Sequence, residues 1–279
     1  MSTRCRSTTR EAKNERAGEV RPRSGQRRGG CAVRDYELET KKRVAFIQNA
    51  IKAAGADGVV FGNSGGKDCA LVGILCKKAC DNTLGIIMPC GSKRNYAADK
   101  TDAETIAGKF NIATRVIDLS DAKNEIVRAA GGQTQLRDSA LANIAPRLRM
   151  TALYAVAASE NRLVAGTGNR SEVYMGYFTK WGDGGHDFNP IADLTVTEVY
   201  EFLRYLGAPD FIIAKAPSAG LFDGQTDESD MGVTYRSIDE FLLTGAVNEK
   251  DRAVIEKFHK ASEHKRVMPL AFGISSETM

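Results

Sequence analysis

The chain of 279 residues is 42% hydrophobic and 27% charged, the make-up of an ordinary globular protein with room for one α/β domain, or one domain with a helical annex. Its formal charge of +4 is lopsided: residues 1–34 hold ten Arg and Lys against Glu11, Glu15 and Glu19, a balance of +7 that leaves −3 for the rest. A mildly acidic body excludes a broad nucleic-acid surface, and no apolar run is long enough to span a membrane.

Residues 1–34 have few apolar side chains and many Gly, Ser, Thr and Arg. They cannot bury enough surface to offset their ordering entropy, so a disordered basic tail is expected there, with a single domain over 35–279. The three glutamates speak against a transit peptide; a dispensable tail ranks ahead of a tether to nucleic acid or membrane. Val44, Ile47, Ala50 and Ile51 recur at helical spacing and predict a helix over 35–54, stopped by Gly55. The pattern then predicts strand 59–61, helix 70–80, strand 83–88, helix 96–110, strand 114–119 and a helix near 121–130. Strands and helices alternating at this spacing mean parallel βαβ units: an α/β protein with a doubly wound parallel sheet and flanking helices. The ligand site of such a sheet lies at the carboxyl ends of its strands.

Gly131-Gly132 breaks the pattern. Beyond it the sequence predicts a long helix over 140–160, strand 163–166, an irregular stretch over 177–189 and a helix over 195–206, with Thr195 as a cap three residues before Glu198. A polar loop over 215–231 and a helical C-terminal part, around 237–243 and 250–264, complete the chain. Cys5, Cys31, Cys69, Cys76, Cys80 and Cys90 form no CxxC pair and no metal spacing with His186, His259 or His264. Reduced thiols in a cytoplasmic protein are expected.

The stretch Phe61-Gly62-Asn63-Ser64-Gly65-Gly66-Lys67-Asp68-Cys69 joins the first strand to its helix. Adjacent glycines let backbone N–H groups point at an anion, and a helix start adds positive partial charge. Lys67 offers a mobile cation and Asp68 a carboxylate suited to Mg²⁺. A phosphate cradle follows; a plain tight turn with both charges solvated fits the same pattern. The loop Tyr177-Phe178-Thr179-Lys180-Trp181-Gly182-Asp183-Gly184-Gly185-His186-Asp187 has the glycine hinges of an active-site lid, and equally the make-up of a surface loop with an aromatic anchor.

SGGKD resembles the pyrophosphate-binding loop (SGGxDS) of the N-type ATP pyrophosphatases, with Cys69 where Ser is usual. FTKWGDGG closely resembles the FTKYGDGG segment of the NAD synthetases within that superfamily. Five further stretches fall in that family's order: SGGKDC, Pro146-Arg147-Leu148-Arg149-Met150, GTGNRSE, KAPSAGL followed by QTDE, and HKR. The resemblance covers residues 35–273 and implies an ATP-dependent ligase. Deamido-NAD is adenylated by ATP with release of pyrophosphate, and ammonia displaces AMP to give NAD. It implies Mg²⁺ as cofactor, with Asp68 and Glu172 as metal ligands, although each carboxylate could instead serve a helix start. It assigns Gly62, Asn63, Ser64, Gly65, Gly66, Lys67, Asp68, Cys69, Thr167 and Ser218 to ATP, and Arg147, Lys180, Asp187, His264 and Lys265 to deamido-NAD. Lys67, Asp68 and Lys180 are its catalytic candidates.

One departure stands out: Val196 occupies a position where relatives usually carry a lysine that contacts ATP. Weaker ATP binding is expected unless Lys180 or Lys215 compensates. Glutamine-dependent members carry an extra amidase domain of about 250 residues, far longer than residues 1–34, so free or delivered ammonia is expected. The resemblance also implies a homodimer. Two alternatives remain. A tRNA-modifying relative would want a basic RNA surface and often a CxxC, and the acidic body has neither. A nucleotide-binding homologue with reduced turnover has only Val196 in its favour.

Overall fold

The computed structural model describes residues 34–91, 96–215, 226–269 and 272. In chain order the elements are α1 (Tyr36–Ala54), β1 (Gly58–Gly62), α2 (Lys67–Ala79), β2 (Thr83–Ile87), α3 (Tyr96–Lys109), β3 (Ala113–Val116), α4 (Ser120–Gly131) and α5 (Asp138–Ser159). There follow β4 (Arg162–Val164), α6 (Arg170–Met175), α7 (Val196–Tyr205), α8 (Asp210–Ala214), α9 (Asp227–Met231), α10 (Tyr235–Thr244), α11 (Glu249–Ala261) and a 3₁₀ turn, Glu263–Lys265.

The four strands form one parallel sheet in the order β3-β2-β1-β4. β1 is central, and Val59, Val60 and Phe61 are all buried, as a parallel strand covered on both faces requires. Side chains alternate across the sheet. Val59 and Phe61 join Ile47 of α1, Leu71 and Leu75 of α2, and Val199 and Phe202 of α7 on one face. Val60 joins Leu84, Ile86, Val164 and the α5 residues Leu153 and Ala157 on the other. A third apolar cluster, with Met175, Met231, Tyr235, Ile238 and Ile255, holds the C-terminal helices on α6. The parallel sheet and its helices match the α/β expectation.

Local signals set several boundaries. Asp35 caps α1 by accepting from Glu37 N and Leu38 N, and left-handed Gly55 ends it. Thr195 and Glu198 form the reciprocal capping box of α7 that their spacing predicts. α2 starts at Lys67, three residues before the expected 70, so the helix begins directly at the glycines. α6 and α8 are short helices without a sequence expectation, and α9 is a correction, a helix inside the stretch 215–231 expected to be a loop and started by its capping box at Thr226; six residues or fewer show no periodicity, and α6 is set by its capping box at Asn169 and left-handed Gly176. In the irregular 177–189 stretch, Phe188 forms an isolated parallel bridge with Ala165 beyond β4. The tail expectation falls outside the described residues except for Arg34, which is ordered: it bonds Glu198 at 2.6 Å and Asp193 at 2.9 Å.

Candidate active site

β1 delivers the chain to the sheet's carboxyl edge, where it turns through Asn63-Ser64-Gly65-Gly66 into α2. Buried Asn63 pins the turn, with Nδ2 donating to Ala103 O at 3.3 Å and Oδ1 accepting from Gly65 N at 3.3 Å. Gly65 has φ +71°, and a Cβ there would stand 2.4 Å from Asp99 O; only glycine fits. Ser64 Oγ accepts from Gly66 N at 3.3 Å and lies 3.2 Å from Cys69 Sγ. Burial pushes the Cys69 thiol up, against hydrogen bonds from Ser64 and Thr167. The thiol is therefore a neutral, weak partner here. No side chain caps α2, so its first-turn N–H groups remain available to an anion.

Lys67 is buried rather than mobile in solvent. Its Nζ donates to Asp68 Oδ2 at 2.7 Å, stands 3.9 Å from Glu172 Oε1, and lies between the rings of Tyr200 and Tyr235 at 5.9 and 5.8 Å. Burial alone would lower Lys67; Asp68 and Glu172 outweigh it and hold the ammonium charged. The Asp68 and Glu172 carboxylates thus face one lysine. Burial, and then the charge of Asp68, push Glu172 above the usual carboxylate range. Such a surplus of hard oxygens fits Mg²⁺, which takes one or two carboxylates plus substrate phosphates. Among the described residues no cluster of three or more His, Cys, Asp or Glu forms an all-protein metal cage.

The residues matched to deamido-NAD come together around the 177–185 loop, with one exception. Arg147 Nε donates to Lys180 O at 3.3 Å, and Lys180 Nζ donates to His264 O at 2.6 Å. Lys265 Nζ donates to Gly176 O and Phe178 O, both at 2.7 Å. The 3₁₀ turn is thereby bound to the loop. Asp187 lies apart: it accepts from Tyr154 OH at 2.9 Å and from Val164 N at 2.7 Å at the end of β4. Ser218 lies outside the described residues.

A cleft of about 1360 Å³ connects these parts. Ser64, Gly66, Asp68, Thr167, Glu172 and Lys265 all line it. Asn63, Gly65, Arg147, Lys180, Asp187 and His264 do not. Val196 is 4% exposed and packs among Met175, Met231 and Tyr235, so its side chain fills a core. Of its two expected substitutes, Lys180 is engaged at the 3₁₀ turn, whereas Lys215 lies at the cradle, 3.3 Å from Gly65 O.

Sequence reasoning missed Asn169 and Asp227. Fully buried Asn169 caps α6 and donates from Nδ2 to Asp68 Oδ1 at 3.0 Å. Its place before Arg-Ser-Glu was a readable cap signal; its link to Asp68 was not. Buried Asp227 accepts from Tyr235 OH at 3.0 Å and adds to the negative field on Glu172.

A parallel sheet that brings a glycine-rich anion cradle and a carboxylate pair into one deep cleft defines an α/β nucleotide-binding protein. The chain belongs to the NAD synthase family, whose sequence model matches residues 39–269. It is 48% identical over 238 residues to the NH(3)-dependent NAD(+) synthetase of Carboxydothermus hydrogenoformans, covering 84% of this chain and 97% of that one. Its structure is similar to that of NMN synthetase from Francisella tularensis, with TM-score 0.81, 37% identity and coverage of 87% and 100%. The NH3-dependent NAD synthetase from Campylobacter jejuni in complex with the nitrate ion gives TM-score 0.71, 30% identity and coverage of 86% and 100%.

Proposed function

We infer that this protein is an ammonia-dependent NAD synthase, a ligase that uses ATP to amidate deamido-NAD. In that reaction a carboxylate oxygen of the pyridine ring attacks the α-phosphorus of ATP and pyrophosphate leaves. Ammonia then attacks the acyl carbon, loses a proton and displaces AMP. The observation that carries the reading is the uncapped start of α2 opening into the same cleft as Asp68, Glu172 and Lys265. The family membership and the 48% identical relative support it.

In this reading the first-turn N–H groups of α2, with Ser64, Gly65 and Gly66, hold the departing pyrophosphate as preorganised donors. Gly62, Asn63, Cys69 and Thr167 complete the ATP side. Lys67 balances Asp68 and Glu172. Those two carboxylates would hold Mg²⁺, which when bound spreads the charge of the pyrophosphate. Arg147, Lys180 and Lys265 bring cations to the pyrophosphate and carboxylate of deamido-NAD, His264 joins them as a polar contact, and Asp187 suits a ribose hydroxyl. Lys67, Asp68 and Lys180 are the proposed catalytic groups.

We read residues 35–279 as one functional domain. Free Cys69, Cys76, Cys80 and Cys90 support a cytoplasmic location, and no described helix is long and apolar enough to cross a membrane. Membership of the NAD synthase family supports a homodimer. Light scattering should give twice 30.2 kDa; a strict monomer would contradict the dimer.

The decisive assay is ATP-dependent pyrophosphate release coupled to NAD formation, with ammonia and deamido-NAD. Because one similar structure is an NMN synthetase, the corresponding mononucleotide is the control substrate, beside nicotinate and tRNA. ATP–Mg²⁺ binding without amide formation on any of them would leave a nucleotide-binding homologue.

A further inference from the structure

The cradle has a support that neither its motif nor its reaction explains. Lys215, just past α8, is separated from Gly65 by 150 positions, yet its Nζ donates to Gly65 O at 3.3 Å. The same ammonium donates to Asp99 Oδ1 at 2.8 Å and Asp102 Oδ2 at 2.7 Å, both on α3. These three acceptors fix it, since an ammonium has three donors. Burial works against the charge, but hydrogen bonds to both carboxylates outweigh it and keep the lysine protonated.

The contacts around Gly65 converge on α3. Asp99 O and Ala103 N pack where a Gly65 side chain would go, and Asn63 Nδ2 reaches Ala103 O. The Gly65–Gly66 peptide is trans, so its carbonyl and its N–H point to opposite sides. A carbonyl drawn to Lys215 turns the Gly66 N–H the other way, to Ser64 Oγ at 3.3 Å. Ser64 and Gly66 are both cleft-lining residues. A cation bound to the carbonyl therefore sets which way the cradle's donors face.

We propose that Lys215, held by Asp99 and Asp102, is a positioning residue that orients the Gly65–Gly66 peptide for the phosphates of ATP. The proposal rests on the reading of the glycine turn as the ATP cradle. Lys215 and Asp99 also line the cleft, but with its three protons given to Gly65 O, Asp99 and Asp102 the ammonium acts through the backbone. Its removal should weaken ATP and pyrophosphate together and spare the far end of the cleft, where deamido-NAD is read to bind.

The test compares Lys215→Met, Lys215→Arg, Asp102→Asn and Ser64→Ala in the full chain, by steady-state kinetics with pyrophosphate as product inhibitor. Lys215→Met and Asp102→Asn should each raise the ATP KM and the pyrophosphate inhibition constant about tenfold, the loss of one charge-assisted hydrogen bond. The deamido-NAD KM should change less than about twofold on the same grounds. Lys215→Arg should recover part of the loss. Tighter ATP binding by Asp102→Asn would overturn the proposal, because a freed Lys215 would then be acting on the phosphates directly. Equal rises in both KM values, with a lowered melting temperature in both variants, would also overturn it in favour of general loosening. If Ser64→Ala raises the ATP KM while Lys215→Met does not, this inference alone fails. If neither does, the cradle reading fails with it.

Discussion

Asn169 joins the two carboxylates of the site: its Nδ2 donates to Asp68 Oδ1 at 3.0 Å while its Oδ1 accepts from Glu172 N at 3.0 Å. One buried amide thus orients an acid on α2 and caps the helix that carries the other. Asn169→Ala removes both bonds. The lost cap should cost about 1 kcal/mol of stability, and the Mg²⁺ concentration for half-maximal activity should rise about 10- to 100-fold, as for lost supports of metal ligands. Metal titration of activity, alongside thermal melting, separates the two effects.

Gly65→Ala tests the cradle's backbone. At φ +71° an added Cβ would meet Asp99 O at 2.4 Å, so alanine must distort the turn or displace α3. The expected cost is about 1–3 kcal/mol, with ATP turnover reduced further because the Gly66 N–H is redirected. A variant with normal melting and normal ATP KM would contradict the geometry.

His186 gives a pH signature. Its ring packs on Gly166, its Nδ1 is buried without a partner among the described residues, and burial holds it below its ordinary value of 6.5. On acidification the unfolded chain takes up this proton first. Stability is therefore full above about pH 6.5 and falls as pH drops through that value towards the lower folded pKa. His186→Val should flatten this part of the melting-temperature profile; an unchanged slope would show that the imidazole titrates alike in the folded and unfolded chains.

Lys265 spends its ammonium on Gly176 O and Phe178 O, each at 2.7 Å. Lys265→Met should release the loop from the 3₁₀ turn and raise the deamido-NAD KM at least about tenfold, the worth of one charged hydrogen bond. The ATP KM should be nearly unchanged. Kinetics that vary each substrate in turn check the split.

The expectation for Val196 shows how far a motif reaches. The family resemblance implies a lysine beside ATP where Val196 stands. The fold gives the valine a core position and Lys215 a place on the cradle's Gly65 carbonyl. Likewise Lys67 reads as a free cation in one dimension, yet is a buried partner of two acids in three.

What the chain determined by itself was local: glycines after an apolar strand, a Thr-x-x-Glu cap, helical and strand periods, and an ordered set of motifs matching one family. These are legible because a cap, a turn or a strand depends on neighbours within a few positions. Tertiary structure alone decided which distant groups meet. Asn169 lies 101 positions from Asp68, Lys180 lies 84 from His264, and Lys215 lies 113 from Asp102. Such contacts follow from the strand order β3-β2-β1-β4 and from helix packing. Charge and burial at the site are sums over those meetings, so only the folded chain fixes them.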